Sequence, residues 1–153
     1  MIKLFGIALF LTLLFTNCGY QVVKKSDSVN FNLIEVNTVG EKRVNYKLKS
    51  KLLLNSNKDG TNIYSVKLDT KKNKVVKERN IKNEITKYQV TLTTNVNLSE
   101  IGNKNSKTFS KSKTGEFSVF NQYSATLNNE KKLIEILTDE LADEILDELS
   151  SEK

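Results

Sequence analysis

The chain has 153 residues, with 24 Lys plus Arg against 18 Asp plus Glu, one cysteine, and no histidine, proline or tryptophan. The absence of histidine excludes His-based acid–base chemistry, Ser-His-Asp triads and His metal sites, and a single cysteine excludes an intrachain disulfide. Charge is unevenly spread: residues 18–129 carry 20 basic against 9 acidic side chains, whereas residues 130–153 carry 3 against 9. A basic body suits an anionic partner. For an exported chain that means lipid A phosphates, acidic sugars or a membrane surface before nucleic acid. The plainer alternative is a set of solvated lysines.

Residues 1–17 have the layout of a secretory signal: Lys3, an apolar run from Leu4 to Phe15, then Thr16 and Asn17. The run is too short for an ordinary membrane helix, which needs about 20 apolar residues. Cys18 directly follows and resembles the lipobox cysteine of bacterial lipoproteins, whose thiol takes a diacylglyceryl group and whose freed amine is acylated. Phe15 and Asn17 depart from the Leu and small residue that lipoboxes favour. The other reading of Cys18 is a small apolar residue near a cleavage site. Residues 18–153 then make one domain of ordinary length, with no Pro-rich or Gly-Ser-rich linker.

Phe31 to Val36 reads as a first strand. From Glu41 to Leu54, Val44, Leu48 and Leu52 recur at helical spacing with Lys42, Arg43, Lys47, Lys49 and Lys51 on the other sides. This predicts an amphipathic helix opened by Gly40 and closed by the polar run Asn55 to Gly60. Tyr64, Val66 and Leu68 alternate with polar residues, as do Tyr88, Val90, Leu92, Val96 and Leu98, where Thr94 alone interrupts the apolar phase. Such one-sided strands favour an antiparallel sheet. Phe109, Phe117 and Val119 share a further alternating register, in one strand or a bulged pair.

A last helix is predicted after Phe120, with Thr126 or Asn128 as N-cap and Leu133, Leu137, Leu141, Ile145 and Leu149 along its apolar stripe. Its charges run against the helix dipole, with Lys131 and Lys132 near the start and Asp147 and Glu148 near the end. That order hints at an outside partner, unless the apolar stripe alone carries the helix. The acid pairs Asp139/Asp143 and Glu144/Glu148 suit a solvated face better than a cation site. The expected fold is α+β: a sandwich of one mainly antiparallel four-stranded sheet with two helices, in the order β-α-β-β-β-α. No Gly-rich phosphate loop is present, and composition leaves a Ser-Lys pair open. The expectation is a protein that is not an enzyme and uses neither cofactor nor metal.

Over residues 18–153 these parts resemble the LptE family of lipopolysaccharide-assembly lipoproteins. The resemblance rests on Cys18-Gly19-Tyr20, the helix Arg43 to Leu54 (RVNYKLKSKLLL), the strand Lys87 to Leu98 (KYQVTLTTNVNL), a Tyr-Ser-Ala-Thr link and the closing segment Glu140 to Leu149. It implies lipid attachment at Cys18 and a place on the periplasmic side of the outer membrane, since Gly19 is not the Asp that retains lipoproteins inside. It further implies that the chain assembles with and plugs an LptD-type β-barrel and binds lipopolysaccharide. Family motifs for that contact fall on Arg79, within KERN, and on Lys131 or Lys132. The alternative is an unattached envelope lipoprotein that binds anionic glycans or lipid headgroups.

Overall fold

A computed structural model describes residues 30–102 and 105–151, so Cys18 and the signal segment lie outside the described residues. Strand β1 (Phe31–Gly40) leads into helix α1 (Lys42–Leu54), followed by β2 (Asn62–Arg79), β3 (Ile85–Glu100), β4 (Ser106–Ser118) and helix α2 (Tyr123–Ser151). The four strands form one sheet in sequence order. This is the expected α+β arrangement.

Two strand pairs are antiparallel and one is parallel. The parallel pair, β1 with β2, is a consequence of α1: a helix between two strands carries the chain back to its starting end, so the next strand runs the same way. Gly40 ends β1 rather than capping the helix. Its φ is +93°, and a Cβ there would lie 2.1 Å from the carbonyl oxygen of Thr70, the same oxygen that accepts from the Glu41 amide at 2.9 Å. The crossover can therefore press against β2 only where no side chain intervenes.

Helix α1 buries Val44, Leu48 and Leu52, one apolar residue per turn. Helix α2 buries Leu137, Leu141, Ile145 and Leu149 in the same manner. Both pack on one face of the sheet, where they meet Val66, Leu68, Val90, Leu92 and Val96. Thr94, the polar residue in the apolar phase of β3, is fully buried there. Its hydroxyl lies 3.0 Å from that of Thr70, directly across on β2, so each satisfies the other.

The opposite face of the sheet carries no helix. It presents Thr91, Thr93, Asn95 and Asn97 of β3 beside Thr108, Ser110, Ser112 and Thr114 of β4. Hydroxyl pairs cross the two strands at 3.0 Å, Thr91 with Thr114 and Thr93 with Ser112. β4 is a single strand with unbroken register, not a bulged pair.

Two elements are longer than the sequence pattern predicts. β2 continues past the alternating Tyr64, Val66 and Leu68 through Lys71–Arg79, and this stretch pairs with β3 down to Ile85. All nine of these residues are exposed: β1 ends opposite Thr70, so beyond it β2 is the edge strand of a β2–β3 ribbon. Period-two alternation arises where one face is buried, so a stretch that buries none of its side chains has no reason to show it. Helix α2 starts at Tyr123, ahead of both expected N-caps. Thr126 lies in the first turn, where its hydroxyl accepts from the Phe120 amide at 2.9 Å and thus ties the helix to the preceding chain. Among the described residues, no helix is long and apolar enough to cross a membrane.

Candidate anion-binding surface

The acidic last helix is clamped from both sides by basic residues of its own chain. From α1, Lys47 reaches Asp139 at 3.0 Å, Lys51 reaches Asp143 at 3.1 Å and Arg43 lies 3.6 Å from Glu135. From β4, Lys107 and Lys111 both reach Glu148, at 3.0 and 2.9 Å, and Lys113 meets Glu144 at 2.6 Å. Hydrogen bonds from Lys111 and Lys107 hold the Glu148 carboxyl below the usual carboxylate range. The bond to Glu144 pushes the Lys113 ammonium up from its usual value. The charge order of α2 therefore needs no outside partner at its acidic end. Neighbouring lysines act against the dipole penalty, and the acid pairs Asp139/Asp143 and Glu144/Glu148 hold ammonium groups.

Among the described residues, subtracting those pairs leaves Lys42, Lys49, Lys58 and Lys67 scattered over α1, the loop after it and β2, and a further group on the β2–β3 ribbon and the early turns of α2. Lys71, Lys72 and Lys82 have no ion-pair partner among the described residues, nor do Lys131 and Lys132, and all five are exposed. The tip of the ribbon is built by Asn80. Its side-chain oxygen accepts from the amides of Lys82 and Glu84 at 2.9 and 3.0 Å, and its side-chain nitrogen donates to the Glu84 carboxylate at 2.7 Å. Asn83 supplies the left-handed residue of the turn, at φ 62°. Arg79 ends β2, and its guanidinium donates to the Asn83 carbonyl at 2.8 Å. This rigid turn holds Ile81 fully out in solvent, between Arg79 and Lys82.

The residues singled out from sequence are thus placed at the same end but not in one pocket. Arg79 is at the ribbon tip. Lys131 and Lys132 lie in the third turn of α2, beside Glu130, which pairs with Lys74 at 2.6 Å in the ribbon. From Lys74 to Arg79 the strand advances ~17 Å, at roughly 3.3 Å per residue. Lys131 and Lys132 also stand too far from the helix start for its free amides to share a ligand with them. The early start at Tyr123 thus moves Lys131 and Lys132 away from the helix start where the sequence placed them. Between the two groups β2 carries Lys77, which pairs with Glu116 at 3.4 Å, whereas Lys71 and Lys72 lie on the other side of Lys74 from Arg79 and point to opposite faces of the strand.

No protein-family profile and no curated protein sequence matches this chain. Solved structures do. Rare lipoprotein B of Shewanella oneidensis superposes with a TM-score of 0.59 at 11% identity, covering 76% of this chain and 94% of that one. The chain shares its fold with bacterial lipoproteins. Lipoprotein B of Nitrosomonas europaea matches at a TM-score of 0.56 and 8% identity, over 87% and 91% of the two chains. A minor lipoprotein of Acinetobacter baumannii matches at 0.50 and 19%, over 80% and 93%. At such identities the likeness is one of fold.

Proposed function

We propose that this chain is an envelope lipoprotein of the LptE type: anchored through Cys18 at the periplasmic face of the outer membrane, it plugs an LptD-type β-barrel and binds lipopolysaccharide. The observation that carries the reading is the pairing of an uncovered, hydroxyl- and amide-bearing sheet face with a basic, apolar-tipped ribbon. The lumen of a large outer-membrane barrel is polar, so a plug must offer it hydrogen-bonding groups rather than an apolar patch. Thr91, Thr93, Asn95 and Asn97, beside the β4 hydroxyls, supply such a face over the length of two strands. The ribbon suits the other partner. A lipid A headgroup carries phosphates beside acyl chains, and Arg79 and Lys82 flank the exposed Ile81 with the matching chemistry. The sharing of this fold with lipoproteins of three bacteria supports the same reading.

The role is binding rather than catalysis. There is no histidine, and the α2 carboxylates nearest to one another are engaged with lysines. The test is affinity purification of the tagged full chain from detergent-solubilised envelopes. A stoichiometric β-barrel much larger than this chain is expected to co-purify, and recovery of monomer alone contradicts the plug. Mass spectrometry of the same preparation reads the anchor: acyl chains on Cys18 are expected, and a free thiol on the mature protein removes it.

A further inference from the structure

At the base of the ribbon, against the first turns of α2, a cavity of about 330 Å³ opens to solvent. Tyr88, Phe120 and Tyr123 line it with Leu127, and Lys74, Glu130 and Asn121 add polar groups. Phe120 is 49% and Tyr123 78% exposed, so two aromatic rings stand in water beside one pocket. The site is held in place rather than loose. The Lys74 ammonium is pinned by the Glu130 carboxylate at 2.6 Å and lies 4.4 Å from the centre of the Tyr88 ring, which stacks on Phe117. The Thr126 hydroxyl bonds both the amide and the carbonyl of Phe120, which fixes that platform against the helix.

We propose that this cavity is a subsite for a single pyranose ring. A ring of this kind has an aliphatic C–H face and a rim of hydroxyls. The face covers Phe120 and Tyr123, while the rim reaches Glu130, Lys74 and Asn121, which between them both accept and donate. Other occupants fit less well. An acyl chain would take the Lys74–Glu130 pair out of water and return no hydrogen bond. A bare phosphate would meet the Glu130 carboxylate and leave both exposed rings uncovered. The size agrees with one ring, since the volume lies at the lower end of the ~300–1,000 Å³ found for small-ligand pockets. The inference deepens the lipopolysaccharide reading, on which it rests for the molecule that bears the ring, and separates sugar recognition here from phosphate recognition at Arg79 and Lys82.

Saturation-transfer NMR on the full chain tests it, with methyl glucoside, methyl galactoside and glucosamine as probes and octanoate as the acyl control. Transfer to ring C–H protons of at least one sugar is expected, with none to octanoate and little dependence on salt. Phe120→Ala and Tyr123→Ala should each weaken that sugar about tenfold, equivalent to about 1.4 kcal/mol, and Tyr123→Ala should do so without lowering Tm, because its ring is largely exposed. Absence of transfer to all three sugars overturns the proposal. So does an unchanged affinity in both ring variants, or transfer to octanoate alone. Barrel co-purification by the unsubstituted chain separates the two claims: sugar binding without a barrel removes the plug and keeps the subsite, and a barrel without sugar binding does the reverse.

Discussion

Thr94 sits where the alternation of β3 calls for an apolar side chain, and Thr70 is the reason a hydroxyl is tolerated there. Thr94→Val alone leaves the Thr70 hydroxyl buried without a partner and should cost about 1–3 kcal/mol, whereas Thr70→Val with Thr94→Val should cost markedly less. Denaturant unfolding of the two single variants and the double variant reads this as a coupling energy, and additive losses would contradict the pair. The cations of the ribbon and of α2 make a second residue-level claim. Arg79 stands at the ribbon tip and Lys131/Lys132 in the third turn of α2, so on the proposed reading they would meet different parts of a bound amphiphile. Arg79→Gln with Lys82→Gln, and separately Lys131→Gln with Lys132→Gln, should each weaken lipopolysaccharide binding several-fold at low salt. The loss should shrink as salt rises, since exposed charges are screened over roughly 8 Å at physiological ionic strength. Unchanged affinity in one pair of variants would confine the lipid contact to the other.

At the scale of elements, the apolar spacing of α1, α2 and the covered halves of the strands was legible because each buries one face. Val44, Leu48 and Leu52 mark α1 from sequence alone, and Tyr64, Val66 and Leu68 mark the covered part of β2. Lys71–Arg79 was not legible, since an edge stretch that buries none of its side chains leaves no periodic trace. Nor was the start of α2, where NQYSATLNN holds neither proline nor a dominant cap. Of the candidate surface, the individual cations Arg79, Lys131 and Lys132 could be named, but not which lysines remained unpaired. That depends on α2 lying between α1 and β4, a long-range fact. The clamp has a pH signature. Because Lys111 and Lys107 hold the folded-state pKa of Glu148 below its unfolded value, the stabilisation is in place above the unfolded carboxylate range and is lost as pH falls through the folded value. The Glu148 side-chain carboxyl should therefore titrate below the ordinary range in a carbon-detected NMR titration, and Glu148→Gln should melt earlier than the parent at neutral pH but not in strong acid. A Glu148 that titrates in the ordinary range would show that β4 does not grip the helix.

Over the whole molecule, the charge imbalance that the sequence shows between residues 18–129 and 130–153 becomes three regions. A neutralised, exposed seam runs along α2, the opposite sheet face is polar and uncharged over most of β3 and β4, and a basic ribbon projects at one end. A chain that binds only glycans or headgroups from the membrane surface would need the ribbon but not the broad hydroxyl face. A barrel plug uses both, with the face against the lumen wall and the ribbon toward the lipid in transit. The anchor at Cys18 would hold the chain at the membrane during assembly, with firm attachment needing two or more acyl chains at about 0.8 kcal/mol per buried CH₂. The most direct measurement is photocrosslinking in living cells from a benzophenone amino acid at Asn95, in the middle of the open face, compared with one at Tyr46 on the exposed side of α1. The account predicts that Asn95 yields a single high-mass adduct with an outer-membrane β-barrel, stronger than any adduct from Tyr46. An Asn95 that captures no barrel in cells where the chain is anchored and folded would contradict the plug.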